Sequence, residues 1–168
     1  MGFRVFCCLV IFSCAALSGL DLRRRLYVRL RSLQAFMEYF RLMKTNISHF
    51  GMSLDDITIE LDGGKILSEF CTFLRENNHT LNYPVCFSHA LEKYQKSLLL
   101  LDSDASFLCS IVNRTSESDV DGAIEALDYA DEQLLMLIST AKEKYETDGR
   151  LRLVLSMSFG AAVALLLL

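Results

Sequence analysis

The sequence contains very few of the residues that interrupt helices. Its 168 residues include one proline, Pro84, 8 glycines and no tryptophan. Proline breaks the interior of a helix and glycine weakens it, so their scarcity favours long, continuous helices. The same scarcity makes a β-sheet protein a poor fit to the composition. We therefore predict an all-α fold.

Short motifs of common catalytic and nucleotide-binding sites are also missing. The sequence contains no G-x-x-x-x-G-K, no G-x-G-x-x-G and no H-E-x-x-H. His49, His79 and His89 are too scattered to suggest a shared metal or a catalytic pair. Asp102 and Asp104 lack the spacing of an EF-hand and are better placed to cap a helix. We expect no enzymatic activity, no cofactor and no small-molecule substrate.

The 6 cysteines show no spacing typical of a metal site or a disulfide framework. Three lie in the first apolar run and three in the middle of the chain: Cys7, Cys8, Cys14, Cys71, Cys86 and Cys109. An odd number in the middle, without a C-x-x-C, argues against structural disulfides there. We expect these thiols to be reduced and to pack as small hydrophobic side chains.

Charge is distributed very unevenly along the chain. Between Ser53 and Gly149 there are 19 acidic and 7 basic residues, a net charge of −12. This segment would repel the phosphates of nucleic acids, so we expect no nucleic-acid partner. Basic residues instead flank the two apolar ends of the sequence. They are Arg23, Arg24, Arg25, Arg29 and Arg31 after the first end, and Arg150 and Arg152 at the beginning of the last.

The two apolar ends run from Val5 to Leu20 and from Leu151 to Leu168. At about 1.5 Å per residue each is about 24–27 Å long as a helix, slightly shorter than a hydrocarbon core of about 30 Å. We interpret them as transmembrane helices, residues 1–20 and 151–168, around a helical domain of residues 21–150. Because the arginines lie on the inner side of both spans, the positive-inside rule places that domain in the cytoplasm.

A second interpretation is a secreted, lipid-anchored helical surface protein. The start would then be a cleaved signal peptide and the tail a removed anchor signal. Asn46, Asn78 and Asn113 begin the three-residue glycosylation pattern. The tail, however, follows Gly149 almost directly, without the polar spacer of about 8–12 residues that an anchor signal needs. The arginines also fit a retained, cytoplasm-facing helix better.

The middle of the chain has the apolar spacing of several helices. A long first helix continues from the apolar run to Gly51, with Phe36 and Tyr39 widening its stripe. That stripe consists of Leu22, Leu26, Leu30, Leu33, Met37, Phe40, Met43 and Ile47. A long last helix is predicted from about Val120 to Tyr145. The two would flank shorter helices in an antiparallel bundle.

Shorter helices are predicted between these two. One begins at Ser53 and ends at Gly63-Gly64. The next begins near Lys65 and buries Ile66, Phe70, Phe73 and Leu74. After a loop over residues 76–84, a helix from Phe87 buries Leu91, Tyr94, Leu98 and Leu101. A helix capped by Asp102-Ser103-Asp104 carries Phe107, Leu108, Ile111 and Val112, and Ser116 or Ser118 caps the last helix.

The order of these segments resembles the stage III sporulation protein AB family over essentially the whole chain. Four short motifs carry the resemblance. "NISHFGMSL" is similar to the family's E-I-x-Y-x-x-T-P-L, keeping Ile47 and Leu54 but having Met52-Ser53 for T-P. Phe87, Ala90 and Leu91 match W-x-x-a-L, with phenylalanine for tryptophan.

The other two motifs lie later in the chain. "TSESD" keeps Ser118 and Asp119 of the family's L-G-x-s-D turn but lacks its Leu-Gly. "LSMSFGAAVALLLL" is similar to the family's glycine-containing apolar end, keeping Leu155 and Gly160, with Ser156 for the first glycine.

The resemblance implies a component of the sporulation channel between mother cell and forespore. Such a protein is a membrane-anchored platform, similar to the inner-membrane platform proteins of type II secretion, and catalyses nothing itself. Its partners would be other membrane proteins of the complex, including the ATPase, and its location the mother-cell membrane. The implied docking face for a basic partner consists of Asp121, Glu125, Asp128, Asp131 and Glu132. A simply solvated face is the alternative.

Overall fold

The structure, a computed structural model, describes residues 2–50, 64–77 and 81–167. In the first helix the side chains of residues 2–12, 15, 16, 22 and 50 lie outside this description, so the predicted burial of Leu22 is outside it as well. In the last helix the same holds for the side chains of most residues after 148. The helices are α1 (Gly2–Phe50), α2 (Gly64–Asn77), α3 (Tyr83–Tyr94), α4 (Asp102–Glu117) and α5 (Val120–Leu167). Every regular element of the described ranges is a helix, which confirms the all-α prediction. The short helix predicted from Ser53 falls in residues 51–63 and lies outside the described residues.

The chain forms two compact units. Unit 1 contains Met1–Leu30 and Ser139–Leu168, and unit 2 contains Arg31–Ile138. Helices α1 and α5 therefore contribute residues to both units. The three-part division into two transmembrane helices and a cytoplasmic domain stays a prediction.

Helix α1 confirms the continuous first helix, because it runs without interruption from the first apolar run into the amphipathic stripe. Five residues of that stripe are buried: Leu30, Leu33, Phe40, Met43 and Ile47. Phe36 and Tyr39, which were predicted to widen the stripe, are also completely enclosed. The widened face lets α1 contact several helices of unit 2 at once.

The core of unit 2 is a cluster of aromatic rings around Phe87. The centroid of the Phe87 ring lies 5.2 Å from that of Phe70 and 6.3 Å from those of Phe36 and Phe40. The Tyr83 ring is 6.0 Å away. These distances lie in the range where offset and edge-to-face pairs are favourable. The cluster joins α1, α2 and α3.

A polar pair lies inside this apolar core. The hydroxyl oxygens of Tyr39 and Tyr83 are 3.0 Å apart and share a hydrogen bond, and both side chains are buried. Burial is the main cause that raises the pKa of both phenols far above its usual range. The two rings can therefore remain in the core only as neutral, hydrogen-bonded groups.

Helix α2 begins where it was predicted, but two of the four residues on its buried face differ from the prediction. Leu67, Phe70, Cys71 and Leu74 are buried, at the i, i+3, i+4 and i+7 positions of one helical face. Ile66, predicted to face the core, is 39% exposed, and Phe73, also predicted to face it, is half-buried. The prediction was wrong because Cys71, which packs as a small apolar side chain, was not counted as part of the stripe.

Helix α3 begins earlier and ends earlier than predicted. It starts at Tyr83, with Pro84 in the first turn, where the absence of an N–H group costs nothing. After Tyr94, Leu99 adopts a left-handed conformation with φ 52°. Its N–H bonds the Lys96 carbonyl at 3.4 Å, and the Leu100 N–H bonds the Gln95 carbonyl at 3.1 Å. This pair of bonds is a Schellman cap, a position where glycine is the usual residue.

The cap changes which leucines are buried. Leu98 and Leu100 face the interior, whereas Leu101, which was predicted to be buried, is 50% exposed. Helix α1 supports the turn, because the buried Ser32 hydroxyl donates to the Leu98 carbonyl at 2.9 Å. A leucine in the left-handed region is strained, and these packed and hydrogen-bonded neighbours hold it there.

Helix α4 begins at Asp102 as predicted, and Asp104 accepts a hydrogen bond from the Leu101 N–H at 3.0 Å. This contact confirms a capping role for Asp104. Leu108, Ile111 and Val112 are buried as predicted, whereas Phe107 is only half-buried.

Candidate interaction surface on helix α5

Asp119 caps helix α5, whereas Ser116 or Ser118 was predicted to cap it. The Asp119 carboxylate accepts a hydrogen bond from the Gly122 N–H at 3.0 Å. A Cβ at position 122 would lie 2.9 Å from Asp119 Oδ1 and from the Ser118 Cβ, so glycine is required for this close approach. Helix α4 includes Ser116 and ends at Glu117, so the loop before α5 is shorter than predicted.

The inward face of α5 is built largely from alanine. Ala123, Ala126, Leu127, Ala130 and Leu134 are buried. Small side chains let the backbone of α5 lie close to its neighbours, and the outward face is left to longer side chains. Helix α5 also continues past Tyr145, the predicted end of the last soluble helix, to Leu167.

Four of the five predicted docking carboxylates share one exposed ridge of α5. Asp121, Glu125, Asp128 and Glu132 follow one another at steps of four, three and four residues, and all four are exposed. Residues with this spacing are neighbours on one helical face. Like charges at these distances repel one another, so a cationic partner would relieve the repulsion. Asp131 lies at the border of this ridge and is partly buried.

Two of these carboxylates form ion pairs with α1 inside unit 2. Arg41 Nε and its terminal nitrogen donate to Asp131 Oδ1 and Oδ2 at 2.6 and 3.0 Å, and Lys44 pairs with Asp128. The hydrogen bonds that Arg41 donates to the Asp131 carboxylate raise the pKa of its guanidinium. Since position 41 pairs with 131 and position 44 with 128, α1 and α5 run antiparallel in this unit. Asp121, Glu125 and Glu132 have no ion pair with α1 among the described residues.

A shallow depression of about 420 Å³ lies beside these ion pairs. Its lining includes Phe40, Leu127, His49 and both ion pairs. The hydroxyls at its edge bond carbonyls of their own helix, Thr45 to Arg41 at 2.9 Å and Ser48 to Thr45 at 3.2 Å. The charged groups here pair with each other across the two helices, and the hydroxyls bond backbone carbonyls. This arrangement suits a contact surface better than a catalytic centre.

Large apolar side chains lie on the same outward face as the carboxylates. Tyr129 is 46% exposed and Met136 60% exposed. Together with Glu125 and Glu132 they alternate along one line of α5 at steps of four, three and four residues. Sequence reasoning identified the acids of this face but not its apolar members. The outward face is therefore mixed, acidic and apolar, and not uniformly charged.

The arginines that flank the two apolar runs, and were predicted to orient the chain in the membrane, lie in different surroundings. Arg23 lies over the Tyr145 ring at 5.4 Å from its centroid, and Arg25 Nε bonds Asp21 Oδ2 at 2.8 Å. Arg24 is exposed, Arg29 is half-buried, and Arg31 lies in unit 2, 3.4 Å from Gln34 Oε1. The side chains of Arg150 and Arg152 lie outside the described residues.

The remaining residues that were considered as metal ligands or catalytic groups do not form a common site among the described residues. Among the described residues, no three His, Cys, Asp or Glu side chains are close enough together to hold a metal ion. His49 and His89 are exposed, and His79 lies outside the description. Cys71 and Cys86 are buried, which confirms their predicted packing, whereas Cys109 is half-buried and Cys14 exposed. Burial raises the pKa of the Cys86 thiol.

Within the part of the chain that the structure describes, no helix combines the length and apolar character needed to cross a membrane. Many side chains of the two predicted spans, residues 5–20 and 151–168, lie outside that description.

One comparison with known proteins gives a match. The family model described as stage III sporulation protein AB matches residues 4–168. This match covers nearly the whole chain and confirms the family to which the four short motifs point. Among curated proteins and solved structures, none matches this chain.

Proposed function

The chain belongs to the stage III sporulation protein AB family, a family of sporulation proteins, and we propose that it is a non-catalytic scaffold of a sporulation channel. In this proposal, apolar helices at both ends anchor it in the mother-cell membrane. Unit 2 lies in the cytoplasm and docks other proteins of the complex, including its ATPase. The observation that carries the docking role is the mixed acidic and apolar outward face of α5.

Two features support anchoring at both ends. Helices α1 and α5 continue from unit 2 into the apolar runs, so each run is joined to the core by uninterrupted helix. A segment in lipid must satisfy its backbone hydrogen bonds internally, as a continuous helix does. The arginines flanking both runs favour a cytoplasmic position for the domain between them.

A cysteine in an exposed turn tests this topology. We expect Ser97→Cys, in a chain whose 6 native cysteines are replaced by alanine, to react with a membrane-impermeant maleimide only in inverted vesicles. The reason is that the turn after α3 faces the cytoplasm in this arrangement. Leu67→Cys, at a buried position, is the matched control and should react only after denaturation.

Reaction of Ser97→Cys on intact cells would contradict the cytoplasmic arrangement and favour the secreted alternative. That alternative also requires a mass decrease on deglycosylation. Two of its acceptor sites fall on helices, Asn46 half-buried in α1 and Asn113 exposed on α4, and Asn78 lies outside the described residues.

Docking through α5 is tested by reversing the charges that have no ion pair with α1. We expect Glu125→Lys with Glu132→Lys to reduce co-purification of the ATPase by tenfold or more, because like charges at an interface cost several kcal/mol. Spore formation should fall in parallel. The readout is the amount of ATPase recovered with the tagged full-length chain from membranes.

The matched control is Glu69→Lys with Glu92→Lys. It makes the same change in net charge at exposed positions of α2 and α3. Equal ATPase recovery with both double variants would show that the α5 face is merely solvated.

A further inference from the structure

A cluster of basic and aromatic side chains lies in unit 1, next to both apolar runs. Arg23 stands 5.4 Å from the centroid of the Tyr145 ring, and the rings of Tyr27 and Tyr145 are 5.7 Å apart at 49°. Arg24 follows Arg23 and is exposed. The two tyrosines therefore join α1 to α5 within this unit and hold one arginine beside them.

The positions of these residues along their helices match the headgroup layer of a bilayer. Arg23 comes three residues after Leu20, and Tyr145 six residues before Leu151. At about 1.5 Å per residue these offsets are about 4.5 and 9 Å. The headgroup region adds about 5–8 Å on each side of the hydrocarbon core, so Arg23 falls inside it and Tyr145 about 1 Å beyond its outer limit.

The chemistry of the cluster suits an anionic phosphate group. A cation–π contact uses the positive charge of Arg23 but none of its N–H donors, which remain for oxygen acceptors. Arginine binds phosphate oxygens through parallel N–H donors. Arg25, by contrast, is balanced by Asp21 at 2.8 Å. Arg23 and Arg24 are accordingly the two positive charges best placed for a ligand.

We propose that Arg23, positioned by the Tyr27–Tyr145 pair, and the adjacent Arg24 bind the phosphate of an anionic phospholipid headgroup. This inference rests on the proposed membrane anchoring, with the arginines on the cytoplasmic leaflet. That leaflet carries the anionic lipids, and each basic residue near it contributes about fivefold in affinity. The site would make the protein prefer membranes rich in anionic lipid.

The test compares lipid binding by the full-length chain in detergent. Native mass spectrometry measures the Kd for phosphatidylglycerol and for phosphatidylcholine. We expect clear selectivity for phosphatidylglycerol, reduced about twenty-five-fold by Arg23→Gln with Arg24→Gln. Arg114→Gln, at an exposed position of α4, should leave the selectivity unchanged. Equal binding of both lipids by the unmodified chain would overturn the proposal.

In this site the ring of Tyr145 positions Arg23. Two substitutions distinguish this positioning role from a role of Tyr145 in the stability of the fold. Tyr145→Leu should lower the selectivity about two- to fivefold because it removes the ring under Arg23, and Tyr145→Phe should retain it. An equal loss in both variants would contradict the role of the ring.

Two further measurements distinguish a failure of the lipid-binding proposal from a failure of the proposed membrane anchoring. Displacement of the lipid by inorganic phosphate at equal concentration would identify a free-phosphate site and overturn the lipid assignment. Sedimentation of the chain with cell membranes tests anchoring independently. A chain that sediments with membranes but shows no lipid selectivity would refute this inference alone, whereas a chain in the soluble fraction would refute the anchoring as well.

Discussion

Replacing Phe87 by alanine is expected to lower the free energy of unfolding by about 3–5 kcal/mol. Phe87 is fully enclosed, and its ring contacts those of Phe36, Phe40, Phe70 and Tyr83. Removing it forfeits the burial of a large apolar side chain and leaves a cavity lined by rigid rings. Helices α1, α2 and α3 meet at this ring, so the loss should affect the whole of unit 2.

The measurement is denaturant unfolding of the full-length chain in detergent, followed by far-ultraviolet circular dichroism. Phe107→Ala makes the same chemical change at a half-buried position of α4 and should cost less than half as much. Similar costs for both substitutions would show that the ring cluster is not the centre of the fold. Because domains are stable by only about 5–15 kcal/mol, the Phe87 variant should also resist proteolysis poorly.

The buried tyrosine pair should show strong coupling between its two members. Tyr39→Phe or Tyr83→Phe alone is expected to cost about 1–3 kcal/mol, because the remaining hydroxyl loses its 3.0 Å partner inside the core. The double variant should lose less free energy of unfolding than the two single variants together, because it leaves no buried hydroxyl without a partner. Tyr129→Phe, at an exposed position, is the control and should have little effect. Additive costs would contradict the shared hydrogen bond.

The same pair predicts how stability depends on alkaline pH. An unfolded tyrosine ionises near pH 10, whereas burial raises the pKa of Tyr39 and Tyr83 well above that value. Their contribution is therefore complete below about pH 10 and is lost as the pH rises above it, because only the unfolded state releases protons there. In the variant with both Tyr39→Phe and Tyr83→Phe, the free energy of unfolding should decline less steeply as the pH rises above about 10.

Tyrosinate absorbance provides the direct readout of this effect. The buried Tyr39 and Tyr83 should ionise only when the chain unfolds. Ionisation of all tyrosines in one step, with the helical signal intact, would show that the pair is not enclosed.

Local patterns were sufficient to predict much of the helical architecture. The stripe of α1 repeats every three or four residues, and this regularity correctly predicted burial of Leu33, Phe40 and Met43. The start of α5 at Val120 also follows from local signals, because polar residues with capping side chains precede an apolar repeat. Such signals depend on residues within a few turns of one another, so one sequence suffices to detect them.

The error at Leu101 arose where a distant contact and an unusual conformation decided the outcome. No local rule predicts a left-handed leucine at position 99, since glycine is the usual residue there. The turn depends on Ser32, 66 residues away, whose hydroxyl bonds the Leu98 carbonyl. This turn buries Leu98 and Leu100 and exposes Leu101.

For the candidate site, composition identified the acidic residues of α5 but not their surroundings. Helical spacing alone places Asp121, Glu125 and Glu132 on one face. It does not show that Asp131 bonds Arg41 from 90 positions away, or that Tyr129 and Met136 lie exposed beside the acids. Which carboxylates remain for a partner depends on which cations the fold brings close to them.

Residue type and short-range spacing were enough to specify the helical class, the amphipathic stripe of α1, the uneven charge and the family. Three contacts became known only from the folded chain: the Tyr39–Tyr83 hydrogen bond, the Arg41–Asp131 pair and the stacking of Arg23 on Tyr145. Each of these contacts joins residues far apart in the chain. Their formation depends on how whole helices pack, and helical periodicity specifies which face is buried but not which residue it meets.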